Sequence, residues 1–147
     1  MFVLVCAMAA GPVMNYGISA TSTLIMGDLG ISEAQFGLLA TVCFLSAALS
    51  SVSLGRLSDR ISGRAQLVLI FGGTAAALTL MAVSGSYLWL LIAVGLAGPA
   101  QAISNPTTNR VIAHQVDPIR RPGWLGIKQS GVQASQLFSS LFFPAAA

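Results

Sequence analysis

Two sets of polar side chains stand inside apolar stretches of this sequence, and their spacing aligns each set on one helix face. Gln101, Asn105 and Asn109 recur every four residues, and Arg110 follows directly. Lys128 is followed by Gln129, Gln133 and Gln136, the three glutamines at steps of four and three. Residues three or four apart share a helix face. Amides donate and accept hydrogen bonds without changing charge, and a lysine adds three donors and one positive charge. Such groups bind a polar or anionic solute; they do not by themselves make or break bonds. The only histidine, His114, falls in a polar connecting stretch, so no nucleophile, base and acid can be grouped around it. Cys6 and Cys43 lie in apolar runs without His or Cys neighbours, and read as small buried hydrophobes rather than metal ligands. The Gly-Pro and Gly-Gly pairs lie inside apolar runs, which argues against phosphate loops, and no GxGxxG follows a strand. No enzyme, metal or cofactor is implied.

These polar groups need an apolar scaffold around them. Of the 147 residues, 55% are hydrophobic and only 7% charged, with a mean hydropathy of +0.82. Soluble domains carry about 25% charged residues to solvate their surface. A chain this poor in charge cannot cover a globule, so the sequence predicts an all-α integral membrane protein with several spans. The net charge of +3 fits basic loops of a membrane protein and does not suggest a nucleic-acid partner.

Crossing the hydrocarbon core takes about 20 helical residues. Five runs are expected to do so, at about 2–26, 35–54, 66–84, 88–113 and 123–145. No Lys or Arg precedes the first, and it is too long for the core of a signal peptide. Gly11-Pro12 predicts a kink in it. Asn15 and Tyr16 fall near its midpoint; Asn15 either lines a cavity or bonds a neighbouring helix. Ser32 with Gln35 has the pattern of a capping box. Cys43, Ala47, Ser51 and Gly55, at spacing four, form a face of small residues suited to close helix approach. Gly72, Gly73 and nearby alanines suggest the same for the third run. Ser84-Gly85-Ser86 is a minimal turn, with Tyr87 and Trp89 placed for the membrane interface.

The fourth run carries two breaker pairs, Gly98-Pro99 and Asn105-Pro106. Its polar stripe should face the bundle interior or a water-filled cavity, which gives Asn105 and Asn109 a cavity-lining role. Arg110, nearer the end, either snorkels to the interface or meets a ligand. Lys128 begins about 8 Å inside the fifth run. It either snorkels or faces a central cavity, and the stripe containing Gln129 and Gln133 favours the cavity. Arg56, Arg60 and Arg64 cluster after the second run, and Arg110, Arg120, Arg121 and Lys128 cluster after or near the end of the fourth. With five spans both clusters share one side. The positive-inside rule then makes the basic loops and the amino terminus cytoplasmic, in a multi-pass protein of the plasma or inner membrane.

Gly55-Arg56-Leu57-Ser58-Asp59-Arg60, followed by Gly63-Arg64, resembles the loop between helices two and three of the major facilitator superfamily. The family pattern has a Gly, then Asp-Arg after a small residue, then Gly and basic residues. Here two residues, Ile61-Ser62, stand between Asp-Arg and Gly where the family has one. Either the loop is one residue longer or Ser62 takes the glycine place. Asn105-Pro106 through Arg110, Arg120-Arg121-Pro122-Gly123 and Gly126-Ile127-Lys128-Gln129-Ser130-Gly131 resemble helices four and five of bacterial members.

The resemblance implies two six-helix halves, of which this chain would hold five helices, without the sixth helix and the carboxy-terminal half. It implies that Gly55 allows close helix approach and that Asp59 accepts hydrogen bonds from a helix amino terminus or pairs with an arginine. Gly55, Asp59, Arg60, Gly63 and Arg64 would latch the two halves on the cytoplasmic face. A small solute would bind between the halves and be exposed to each side in turn. The embedded charges are cationic only, which favours an anionic solute such as an organic acid. The expected function is secondary transport by alternating access, with this segment inactive alone. Its expected partners are the bilayer, the solute, and the missing half or another membrane chain. A competing reading is a non-transporting membrane subunit that assembles with other helices.

Overall fold

The computed structural model describes residues 2–83 and 85–146; Ser84, the first residue of the expected turn, lies outside them. Those residues form helices joined by short connections, with no strand among them. The first expected span is three helices rather than one: α1 (Phe2–Ala10), α2 (Val13–Ala20) and α3 (Ser22–Leu29). At Gly11-Pro12 the first two bend by 49°, because Pro12 has no amide hydrogen to donate and its ring crowds the preceding turn. The second break falls at Thr21, whose Oγ1 donates to the Gly17 carbonyl at 2.9 Å. The Thr21 amide donates to the same carbonyl at 3.0 Å, so the chain keeps its course into α3. Gly30, with φ of 60°, ends α3 in the left-handed conformation that glycine adopts most cheaply.

Ser32 starts α4 (Glu33–Arg60). Its Oγ accepts from the Gln35 amide at 3.3 Å, and Gln35 Oε1 accepts from the Ser32 amide at 2.9 Å. Two orphan donors of the first turn are thereby satisfied. Ser32→Ala is expected to lower the stability of the chain by about 1 kcal/mol, measurable as a drop in unfolding temperature in detergent.

The polar stretch from Gly55 to Arg60 is not a loop. It is the last turn and a half of α4, and only Ile61-Ser62 connect it to α5 (Gly63–Ala82). So short a connection is possible because Ser62 Oγ immediately caps α5, accepting from the Ala65 amide at 3.3 Å. Of the two residues that stand where the family has one, Ser62 thus serves at the helix cap. α6 (Tyr87–Gln115) runs unbroken through Pro99 and Pro106. The residues four before each proline, Gly95 and Ala102, are small and limit the clash with its ring. His114 falls in the last turn of α6, not in the connection. Arg121 closes that end, donating from Nε to the Val116 carbonyl at 3.0 Å and from Nη2 to the Ala113 carbonyl at 2.7 Å. A single 3-10 turn (Pro118–Arg120) leads into α7 (Arg121–Ala146).

By length and composition α4, α5 and α6 can each cross a membrane, and the bent α1–α2 pair makes a fourth candidate. α7, with 26 residues, is long enough, but its lysine and glutamines lower its hydropathy. Leu49, Val68 and Leu88 are 74%, 70% and 66% exposed; with many similar side chains they give the bundle the apolar exterior that a bilayer solvates.

α6 is the central helix, packed on α4 and α5, while α1 and α2 pack on α7. Small residues set these distances. A Cβ at Gly98 would run into the Ser46 hydroxyl and the α4 backbone at Cys43 and Ala47. A Cβ at Gly73 would lie 3.0 Å from Ala100 Cβ, and one at Gly131 would meet the Val5 carbonyl. The expected small face of α4 is therefore used at Cys43 and Ala47. At Gly55, and likewise at Gly72, a Cβ would meet nothing within 4 Å, so close packing within the described residues does not explain either glycine.

Candidate functional site

Lys128 sits about 10 Å along α7 from Arg121 and is only 5% exposed. Three residues on, Gly131 brings the α7 backbone against α1, and this packing helps to fix the face on which Lys128 lies. Its Nζ donates to Asn109 Oδ1 at 2.6 Å, Asn105 Oδ1 at 3.0 Å and Thr108 Oγ1 at 3.1 Å. Three ammonium hydrogens thus meet three acceptors from successive turns of α6. Thr108 gives its own hydroxyl hydrogen to the Ser104 carbonyl at 2.8 Å, which leaves its lone pairs to the lysine. All three acceptors are neutral. Among the described residues no carboxylate pairs with Lys128; the ion pair there joins Arg110 and Asp59. The cluster therefore carries a net positive charge inside the bundle. Thr108 escaped the sequence reading. Its spacing of three from Asn105 and its place beside Asn109 were the available signal.

The other expected cavity residues are not in this cluster. Gln129 and Gln133 are exposed, roughly 100–140° around α7 from Lys128, without a hydrogen-bond partner among the described residues. Asn15 is half-buried at a cavity of about 20 Å³ between α2 and α4, shared with Ser19 and Cys43. That volume suits one water molecule. Tyr16 is half-buried beside Asn15 in sequence. The polar stripe of α6 divides: Gln101 Oε1 faces the Cys43 thiol of α4 at 4.0 Å, while Asn105 and Asn109 face α7. Larger grooves, of about 640 and 450 Å³, share Leu78 and Phe138, are mostly apolar, and do not include Lys128.

Arg110 points elsewhere. Its Nη1 donates to the Ser58 carbonyl near the end of α4, 3.7 Å from Asp59 Oδ1. Gln66 of α5 donates from Nε2 to the same carbonyl at 2.5 Å and to the Ile61 carbonyl at 3.2 Å. The last carbonyls of a helix lack partners within it, and here side chains from two neighbouring helices supply them. The Asp59 side chain is 79% exposed, so the ion pair itself contributes at most about 1 kcal/mol. Gln66 is buried and also escaped the sequence reading, although it is a lone amide entering an apolar run. Arg60 and Arg64 are exposed and form no ion pair among the described residues. Gly63 begins α5 without a positive φ, and a Cβ there would meet nothing within 4 Å.

The chain is similar to known transport proteins. It is 31% identical over 136 residues to "Probable nitrate/nitrite transporter NarK2" of Mycobacterium tuberculosis, covering 85% of this chain and 33% of that protein. It is 26% identical over 129 residues to "Probable anion transporter 7" of Oryza sativa, covering 87% and 29%. With "Probable anion transporter 5" of Arabidopsis thaliana it shares 27% identity over 130 residues, covering 88% and 30%. The chain thus spans about a third of the length of these curated relatives. No solved structure matches it. The model of the Major Facilitator Superfamily matches residues 2–147, and with the helical bundle and the Gly55–Arg64 motif in view, this integral membrane chain belongs to that superfamily.

Proposed function

We propose that the protein is part of a secondary transporter for a small anion, with Lys128, Asn105, Asn109 and Thr108 at the solute site. The observation that carries this reading is a buried ammonium whose three partners are all neutral. A lasting positive charge inside a membrane bundle is costly, and a structural role alone is met more cheaply by an apolar side chain. The names of the relatives support an anion as the solute. Asn15, Tyr16, Gln129 and Gln133 belong in this reading to the more distant wall of the solute path.

The gate is assigned to Gly55, Asp59, Arg60, Gly63 and Arg64, with Arg110 and Gln66 bracing the end of α4. The basic residues at the α4–α5 and α6–α7 connections support a cytoplasmic position for that end of the bundle. The surface for alternating access would come from the additional length that the relatives have.

Uptake tests the reading in membrane vesicles carrying the longest open reading frame that contains residues 1–147. Nitrate or formate is expected to accumulate, and Lys128→Gln to reduce the initial rate at least tenfold at equal protein in the membrane. Normal insertion with no uptake of any anion would overturn the transport reading and favour the membrane interaction subunit.

A further inference from the structure

The Lys128 cluster leaves two donor groups unused, and they differ from the one that carries the charge. A lysine ammonium has donors only, so both asparagines must turn Oδ1 toward it, as the contacts of 3.0 Å at Asn105 and 2.6 Å at Asn109 show. Each Nδ2 group, itself a donor, takes no part in that contact. Neither Nδ2 donates to a partner among the described residues, and both asparagines are exposed. The two residues are four apart on one helix, with Cβ atoms about 5–6 Å apart. One small oxyanion can bridge such a gap with two hydrogen bonds of about 2.9 Å. Lys128, by contrast, is 5% exposed and has its hydrogens committed.

Charge then narrows the class of solute. The cluster carries one positive charge with no counter-ion among the described residues. A monovalent anion would make the occupied site neutral. A divalent one would leave a net negative charge inside the bundle, where unbalanced charge is costly. Resting on the anion-transport reading above, we infer that the solute is a small monovalent oxyanion held by the Nδ2 groups of Asn105 and Asn109, while Lys128 supplies charge from behind without touching it.

The test uses the purified chain in detergent, with sodium nitrate, sodium formate and sodium sulfate at equal ionic strength. Nitrate and formate are expected to bind at least tenfold more tightly than sulfate. The chain has three asparagines, Asn15, Asn105 and Asn109, so isotope labelling of asparagine gives a short, assignable set of side-chain amide NMR signals. Nitrate is expected to shift the Nδ2 signals of Asn105 and Asn109 and to leave that of Asn15 in place.

The double variant Asn105→Leu/Asn109→Leu separates the two modes of contact. It should weaken nitrate at least tenfold if the amides hold the anion. If the ammonium holds it directly, affinity should stay or rise, because the variant frees the lysine hydrogens. Should the double variant not fold, the amide shifts of the unaltered chain decide. Nitrate binding without those shifts, or sulfate binding as tight as nitrate, would overturn this inference and leave the transport reading standing. No binding of any anion to the unaltered chain would overturn this inference, while the uptake test on the longer open reading frame decides the transport reading separately.

Discussion

Lys128→Met is expected to leave the chain folded, at equal or higher stability, and to remove anion binding. Methionine has nearly the volume of lysine and no charge to bury. Exchanging buried charged groups for apolar ones of like volume is neutral or stabilising by about 1–4 kcal/mol. Of the three acceptors it leaves behind, Asn105 and Asn109 are exposed and can turn to other donors, and the buried Thr108 hydroxyl keeps its bond to the Ser104 carbonyl at 2.8 Å. The loss of affinity follows from Coulomb's law. An anion held by the asparagine amides sits about 6 Å from the lysine charge, and at an effective dielectric of about 20 this attraction is worth about 2.8 kcal/mol. That is about a hundredfold in affinity. Unfolding temperature and nitrate affinity, measured on the same sample, check both halves. A marked loss of stability with little loss of affinity would make Lys128 a structural residue and remove the basis of the proposed solute site.

Gly98→Ala should produce a large loss of stability from a single methyl group. A Cβ at this position would stand 2.5 Å from the Cys43 carbonyl oxygen and 2.8 Å from the Ala47 amide nitrogen. It would also overlap the Ser46 hydroxyl, which donates to that same carbonyl at 2.9 Å. A side chain can turn away, but two backbone atoms of α4 cannot, so α4 and α6 must separate. Overpacking a well-filled interior costs about 1–3 kcal/mol, and a contact against backbone belongs at the upper end. Thermal unfolding in detergent should show it. Gly55→Ala is the contrast: with nothing within 4 Å of the added carbon, helix propensity alone predicts a gain of up to about 1 kcal/mol. If Gly55→Ala impairs uptake in the longer protein without lowering stability, the gate packs against a surface outside this segment. If Gly98→Ala leaves stability unchanged, the close approach of α4 and α6 does not hold.

The two regions of proposed function meet on α6. Asn109 faces α7 through Lys128, and its neighbour Arg110 faces α4 through the Ser58 carbonyl. Successive residues on a helix point about 100° apart, so one turn of α6 serves both the solute site and the end of α4.

Composition and local pattern determined much by themselves. So few charges in 147 residues require a lipid-facing exterior, whatever the fold. The kink at Gly11-Pro12 follows from a missing amide hydrogen, and the start of α4 from a serine and a glutamine three residues apart; both depend only on neighbours in sequence. The Gly55–Arg64 motif and the stripe of Asn105 and Asn109 were legible for the same reason.

Tertiary structure decided which groups meet. Arg110 was open between interface and ligand, and instead closes the end of α4 with Gln66. Lys128 was open between snorkelling and a cavity, and finds three acceptors on α6, one of them the unforeseen Thr108. The polar stretch after Gly55 continued α4 because helices α5 and α6 supplied partners for its last carbonyls. Periodicity gives the face on which a side chain lies, but not the rotation of that helix against its neighbours. Contacts between helices depend on that rotation and on where glycines such as Gly98 and Gly131 let backbones approach, and these are properties of the packed bundle.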